Sequence, residues 1–192
     1  GAEGAGRLAG VLGQCSSLAV LNLAGNDIGD EGAGRLAGLL GQCSLLTTLD
    51  LGYNFDMGAE GARRLAGALG HCTSLTMLDL EYIYMGAEGA TSLAGVLGEC
   101  PMLATLNVSF NDMGDEGAGS VAGVLGKCSS LTTLNLEENG IRDEGAWSLA
   151  WVLGQCSSLD TLNLRRNFIG EKGIDGLRAR GVGVPSIFLE FS

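Results

Sequence analysis

Six cysteines, Cys15, Cys43, Cys72, Cys100, Cys128 and Cys156, follow one another at spacings of 28, 29, 28, 28 and 28 residues. A spacing held that closely along the chain means one supersecondary unit copied and stacked, and no other feature of the sequence restricts the fold as much.

The unit has two halves. Each cysteine is followed three residues later by a leucine, at Leu18, Leu46, Leu75, Leu103, Leu131 and Leu159, which opens the pattern L-x-x-L-x-L-x-x-N. Leu18, Leu21, Leu23 and Asn26 spell it first. The two-residue alternation at Leu21 and Leu23, and again at Leu134 and Leu136, predicts a short strand with one buried face. The second half, such as Asp30-Glu31-Gly32-Ala33 followed by Leu36, Ala37, Leu39 and Leu40, has helical spacing. Asp30, Glu60, Glu88, Asp115, Asp143 and Glu171 recur at the predicted helix start, where carboxylates accept from exposed amides and face the positive end of the helix dipole.

Glycine, at 33 of 192 residues, is overused, and the repeat accounts for much of it. Gly41, Gly70, Gly98, Gly126 and Gly154 recur just past the last helical leucine and are expected to form left-handed C-terminal caps. Gly38, Gly67, Gly95 and Gly123 fall inside the helix, where each costs about 1 kcal/mol against alanine; close packing between helices is the expected compensation.

One strand and one helix cannot bury the strand's apolar face, so the units must stack with strands side by side in a parallel sheet. At about 4.8 Å per strand, six strands and a degenerate seventh predict a sheet roughly 30 Å wide. Helices are wider than strands, so the stack curves with the sheet on its concave side. The chain divides into a partial repeat over 1–15, six strand-turn-helix units over 16–170, the last running on past 170, and a degenerate closing unit over 171–192. Gly1 to Cys15 repeats only the helix half of a unit, so further repeats or another domain are expected before it. At the other end Arg178, Arg180, Gly181 and Pro185 break the helical pattern, and Ile187 to Phe191 offers a last strand.

The repeated unit, L-x-x-L-x-L-x-x-N, a small turn, then G-A-x-x-L-A-x-x-L-x-x-C, resembles the ribonuclease-inhibitor type of leucine-rich repeat along nearly the whole chain. The resemblance implies an α/β solenoid, a horseshoe with a parallel sheet inside and helices outside. It also implies use in protein recognition, as in NOD-like innate-immune receptors and in the activator of the nuclear-transport GTPase Ran. It does not name a partner, because ligand-contacting residues differ between members.

The formal charge of −11 sets up a field that repels phosphate backbones and anionic lipid, which excludes nucleic acid as the expected partner. No apolar run approaches the 18 or so residues of a membrane span. The cysteines fill one repeated inward slot and are expected as buried thiols, which fits a reducing compartment, the cytoplasm or the nucleus. His71, the single histidine, sits in a variable slot shared with Gln14, Gln42, Glu99, Lys127 and Gln155 and has no catalytic partner. With no P-loop, dinucleotide fingerprint or triad, no enzyme, cofactor or metal is expected.

Positions that vary between units are where a specific surface must be written. The residue after the last strand leucine is Ala24, Gly52, Glu81, Ser109, Glu137 and Arg165; the next is Gly25, Tyr53, Tyr82, Phe110, Glu138 and Arg166. Three adjacent units therefore present an aromatic, and Phe55 and Tyr84 lie nearby in the turns, so five rings are predicted on one ascending edge. Glu81, Glu137 and Glu138, then Arg165 and Arg166, form a charged rim suited to orienting a partner. The plainer alternative is that these rings only cover the turns. The same units also break the repeat, by an extra residue in Asn54-Phe55-Asp56-Met57 and by Ile83 where asparagine is expected. Asn26, Asn54, Asn111, Asn139 and Asn167 should turn inward and bond neighbouring amides; Ile83 cannot, so the third turn is expected to be reshaped.

Two further columns, Thr48, Thr105, Thr133 and Thr161, and Asn22, Asp50, Asp79, Asn107, Asn135 and Asn163, cover the middle of the concave sheet as ladder residues. Asp50 and Asp79 raise a cation site, with solvated carboxylates as the simpler reading. Trp147 and Trp151 share one helix face in slots that hold Gly34, Gly38, Arg63, Gly67, Thr91 and Gly95 elsewhere, and offer either a convex docking patch or a cover for the next helix.

The leading expectation is a module that binds a protein partner through the concave sheet and its aromatic edge. The alternatives are a scaffold subunit docked by its convex helices and a GTPase-activating accessory protein.

Overall fold

A computed structural model describes residues 1–12, 17–180 and 184–189. Cys15, Gln14, Gly181 and Phe191 lie outside the described residues. Among the described residues seven helices alternate with seven strands. In chain order they are α1 (Ala2–Leu12), β1 (Val20–Asn22), α2 (Asp30–Leu40), β2 (Thr48–Asp50), α3 (Gly58–Leu69), β3 (Met77–Asp79) and α4 (Gly86–Leu97). Then follow β4 (Thr105–Asn107), α5 (Gly114–Leu125), β5 (Thr133–Asn135), α6 (Asp143–Leu153), β6 (Thr161–Asn163), α7 (Glu171–Arg180) and β7 (Ser186–Phe188).

The strands form one open parallel sheet in the order of the chain. Register places Leu21 against Leu49, Leu49 against Leu78, and so on through Leu106, Leu134 and Leu162 to Ile187. Leu21, Leu49, Leu78, Leu106, Leu134 and Leu162 are buried, which is what a period-matched alternation requires. Among the described residues each helix packs on its sequence neighbours and on no other helix. The result is a solenoid with the sheet on the concave face and the helices on the convex face.

The described cysteines fill the inward slot as expected. Cys43, Cys72 and Cys100 are buried, Cys128 and Cys156 half-buried, and none of the five is in a disulfide among the described residues. Burial pushes the Cys72 and Cys100 thiols up to about 11.

Three local expectations are corrected. The glycines after the helices are right-handed, from φ −58 at Gly70 to φ −66 at Gly98. The chain leaves each helix through a tighter turn in which Gln42 N donates to Leu39 O and Cys43 N to Leu40 O, so no left-handed cap is needed.

The acidic residues sit inside the first helical turn, and the residue at the cap position of each of α2 to α6 makes no side-chain cap bond. Two of them reach the following unit instead. Asp115 Oδ1 accepts from Arg142 N and Gly145 N at 2.7 and 2.8 Å. Asp143 Oδ1 accepts from Gly170 N and Gly173 N at 2.8 and 3.1 Å.

The glycines that allow close helix packing are not Gly38, Gly67, Gly95 and Gly123, which face open space. They are the buried ones in the first turn. At Gly145 a Cβ would lie 2.8 Å from Ile141 Cγ2 and 3.1 Å from Asp115 Cα, and at Gly117 it would lie 3.0 Å from Ala90 Cβ.

Candidate functional site

The asparagine ladder fixes the turns from inside. Asn111 Oδ1 accepts from Ile83 N and Met85 N at 3.2 Å each, while Asn111 Nδ2 donates to Leu80 O, Val108 O and Ser109 O. Asn54 serves Asn26 N and Ile28 N in the same way, and Asn167 serves Asn139 N and Ile141 N. Asn54, Asn111, Asn139 and Asn167 are buried, whereas Asn26 is exposed and donates to Ala24 O. At the break, Ile83 is fully buried among the core side chains. Met57 N, which an asparagine at 83 would serve, donates to Asn54 O instead.

The third turn is not reshaped. Tyr82 and Tyr84 take φ values of 54 and 55, nearly those of Phe110 and Asp112 in the next unit, at 57 and 50. The departure falls in the second turn, which absorbs the extra residue, because the backbone at Ile83 keeps its bonds to Asn111 and needs nothing from its own side chain.

Strand pairing continues outward past the sheet. Tyr53 N donates to Glu81 O, Tyr82 N to Ser109 O, Phe110 N to Glu137 O and Glu138 N to Arg165 O. This ladder holds the variable column in register and sets its residues about one strand spacing apart, roughly 4.8 Å. Every residue of the column has a left-handed backbone: Gly25 in the first unit, then Tyr53, Tyr82, Phe110, Glu138 and Arg166. That conformation costs a bulky residue about 1–3 kcal/mol, so aromatics here are displayed against the local preference.

The spacing suits stacked rings. Tyr53 and Tyr82 stack with centroids 5.5 Å apart, and Tyr82 and Phe110 stack at 4.3 Å. Phe55 meets Tyr82 edge-on at 5.8 Å, and Tyr84 meets Tyr82 edge-on at 6.3 Å. The five predicted rings form one cluster. Tyr53, Phe55 and Tyr84 stay exposed and Tyr82 and Phe110 half-buried.

Charged residues border the cluster. Tyr53 OH donates to Glu81 Oε1 at 2.9 Å, which pushes the phenol's pKa up. Glu137 Oε2 accepts from Asn163 Nδ2 at 2.9 Å, and its other oxygen lies 3.5 Å from Arg166 Nε. Arg165 stands over the Phe188 ring at 4.9 Å. The acidic strip and basic pair are thus partly paired with each other.

Deeper on the concave face the Asn and Asp column is structural. Asp50 Oδ1 accepts from Gly52 N, Asp79 Oδ1 from Glu81 N and Asn107 Oδ1 from Ser109 N, each closing a turn at the strand end. Asp50 and Asp79 are register neighbours, and Asn22 and Asn107 donate to them. Burial raises the Asp79 carboxyl above its ordinary value.

Phe168 was not anticipated. It is 67% exposed and follows Asn167 just as Phe55 follows Asn54, so reading that column through the sixth unit would have found it. With Tyr82, Tyr84, Phe110, Asp112, Glu138 and Gly140 it lines a groove of about 260 Å³. On the convex side Trp147 and Trp151 are 44% and 64% exposed. Both lean on α7: a Cβ on Gly176 would meet the Trp147 ring at 3.3 Å, and the Arg180 guanidinium lies 4.2 Å from the centre of the Trp151 ring.

Side-by-side strands, one helix per unit and an internal asparagine ladder define a solenoid of stacked repeats. The family profile described as "Leucine Rich repeat" matches residues 14–37, 42–66, 99–122 and 127–150, just over half of the chain, which belongs to the leucine-rich repeat family. The third unit, with Ile83, falls outside those segments. Among solved structures the chain is similar to one titled "Leiomodin-1 Actin-Binding Site 2 (ABS2)". The TM-score is 0.56 at 14% identity, over 93% of this chain and 87% of that one. At that identity the likeness carries the fold alone. No curated protein matches the chain.

Proposed function

We propose that this solenoid is a protein-recognition module whose partner seats on the ascending edge of the concave sheet. Tyr53, Phe55, Tyr82, Tyr84 and Phe110 form the apolar centre of that surface. Glu81, Glu137, Glu138, Arg165 and Arg166 form its charged rim. One observation carries the reading: Tyr53, Tyr82 and Phe110 occupy left-handed backbone that the first unit gives to Gly25, and stack into a half-exposed cluster. Rings that only covered their own turns would be served as well by less strained residues. Exposed, rigid aromatics at low entropy cost are what interface centres are made of. Family membership supports binding through a surface. The neighbour's title names actin, which makes actin one partner to try by cosedimentation. The working compartment we assign is the cytoplasm or nucleus, where the five described thiols, none in a disulfide, stay reduced.

A scaffold role through the convex helices has one observation in its favour, the exposure of Trp147 and Trp151, and one against it, their packing on α7. Affinity capture with three baits separates the two. Replacing Tyr53, Tyr82 and Phe110 together by glycine keeps the left-handed backbone and removes the rings; this bait is expected to lose the captured partner. A bait with Trp147→Ala and Trp151→Ala is expected to keep it. Loss from the tryptophan bait alone would assign the convex face.

A further inference from the structure

We propose that the groove beside Phe110 receives a single basic side chain, an arginine for preference, from the protein that binds the aromatic edge. The inference rests on the recognition reading above and adds the chemistry of the partner.

Phe110 uses one ring face against Tyr82 at 4.3 Å. On the other side the ring column ends, and its next residue is Glu138, in the same left-handed conformation. Between the rings of Tyr84 and Phe168 the neighbouring column holds only Asp112 and Gly140. Gly140 has φ +70, and a Cβ there would come within 3.3 Å of Asp112 Oδ1, so the bare glycine keeps the floor open in front of that carboxylate. The groove is lined by four aromatic rings, two carboxylates and no basic residue. Asp112 and Glu138 make no ion pair among the described residues, unlike Glu137, which has Arg166. Arg142 lines two adjoining grooves, one shared with Asp112, Asp115, Gly140 and Phe168 and the other with Asp115, Asp143, Glu144 and Phe168, and makes no ion pair with Asp112 among the described residues.

Aromatic faces attract a cation through their quadrupole, and a guanidinium both stacks on such faces and hydrogen-bonds carboxylates in its plane. At about 260 Å³ the space is below the roughly 300–1,000 Å³ of small-molecule clefts and suits one long side chain. The net charge of −11 favours the encounter of a basic partner.

The test titrates the whole chain by NMR with an end-blocked pentapeptide holding one arginine among glycines, and with its citrulline counterpart, which keeps the shape and loses the charge. Shifts confined to Tyr82, Tyr84, Phe110, Gly140 and Phe168, with citrulline about tenfold weaker, are the expected result, since one charge-assisted bond is worth about that factor. Asp112→Asn with Glu138→Gln should weaken the arginine peptide about tenfold, while Glu88→Gln with Glu116→Gln, of equal net charge, should leave it within about twofold. Equal binding of citrulline, shifts elsewhere, or equal weakening by both charge pairs would overturn the proposal. Should that happen while the triple-glycine bait still loses its partner, the aromatic edge stands and only its basic occupant falls.

Discussion

Asn111 and Phe110 are adjacent in one turn, yet one is buried with five hydrogen bonds to backbone and the other shows a ring face to the groove. The same contrast separates Asn54 from Tyr53, Asn139 from Glu138 and Asn167 from Arg166. Inside, one residue type repeats because the backbone groups it must satisfy repeat. Along the edge, one backbone conformation carries glycine, tyrosine, phenylalanine, glutamate and arginine in turn. The interior ladder fixes geometry so firmly that edge side chains are free to differ, and even strained ones are held in place.

The sharpest way to break this contrast is to remove one residue from each side. Asn111→Ala leaves the amides of Ile83 and Met85 and the carbonyl of Leu80 without their partner, while Val108 O keeps Asn139 Nδ2 and Ser109 O keeps Tyr82 N. At about 1–3 kcal/mol for each buried group left unmade, a loss of at least about 3 kcal/mol is expected in urea unfolding. Phe110→Gly should change stability by less than about 1 kcal/mol, because relief of left-handed strain offsets the lost stacking. Comparable losses would mean the edge is part of the structural core.

The helix glycines sharpen it at intermediate size. Gly145→Ala pushes a methyl into Ile141 and Asp115 and should cost about 1–3 kcal/mol. Gly123→Ala, in open space within a helix, should gain about 1 kcal/mol. Thermal unfolding of the two variants should therefore move in opposite directions.

The smallest effect belongs to the concave floor. Burial raises the folded-state pKa of Asp79 above its unfolded value, so the native state favours the proton. Stability from this group is complete below the unfolded pKa and is lost as pH rises through the folded one. Asp79→Asn, which matches Asn107, Asn135 and Asn163 in the same column, should raise the melting temperature at pH 7. The gain should fade as pH drops through the carboxyl range.

The repeat itself was legible because its causes are periodic. Leu21, Leu49 and Leu78 share an inward slot, Asn54 and Asn111 satisfy equivalent pairs of amides, and Tyr53, Tyr82 and Phe110 stand one period apart. Relations between units were harder to see. That Asp115 and Asp143 serve the next helix, and that Gly145 rather than Gly123 permits close approach, depends on how one helix lies on its neighbour. The glycines after each helix pointed toward left-handed caps, but the following tight turn closes in right-handed backbone. Ile83 broke the side-chain pattern without bending its turn, since the bonds there come from Asn111. Phe168 escaped because its neighbours Asp112 and Gly140 interrupt the aromatic column.

Hydrogen exchange of the chain alone and with its captured partner tests the central claim most directly. Protection on binding is predicted in the turns over 52–58, 81–86 and 109–114 and at 138–140, with the convex helices unchanged. Protection confined to α6 and α7, with those turns exchanging as in the free chain, would contradict it.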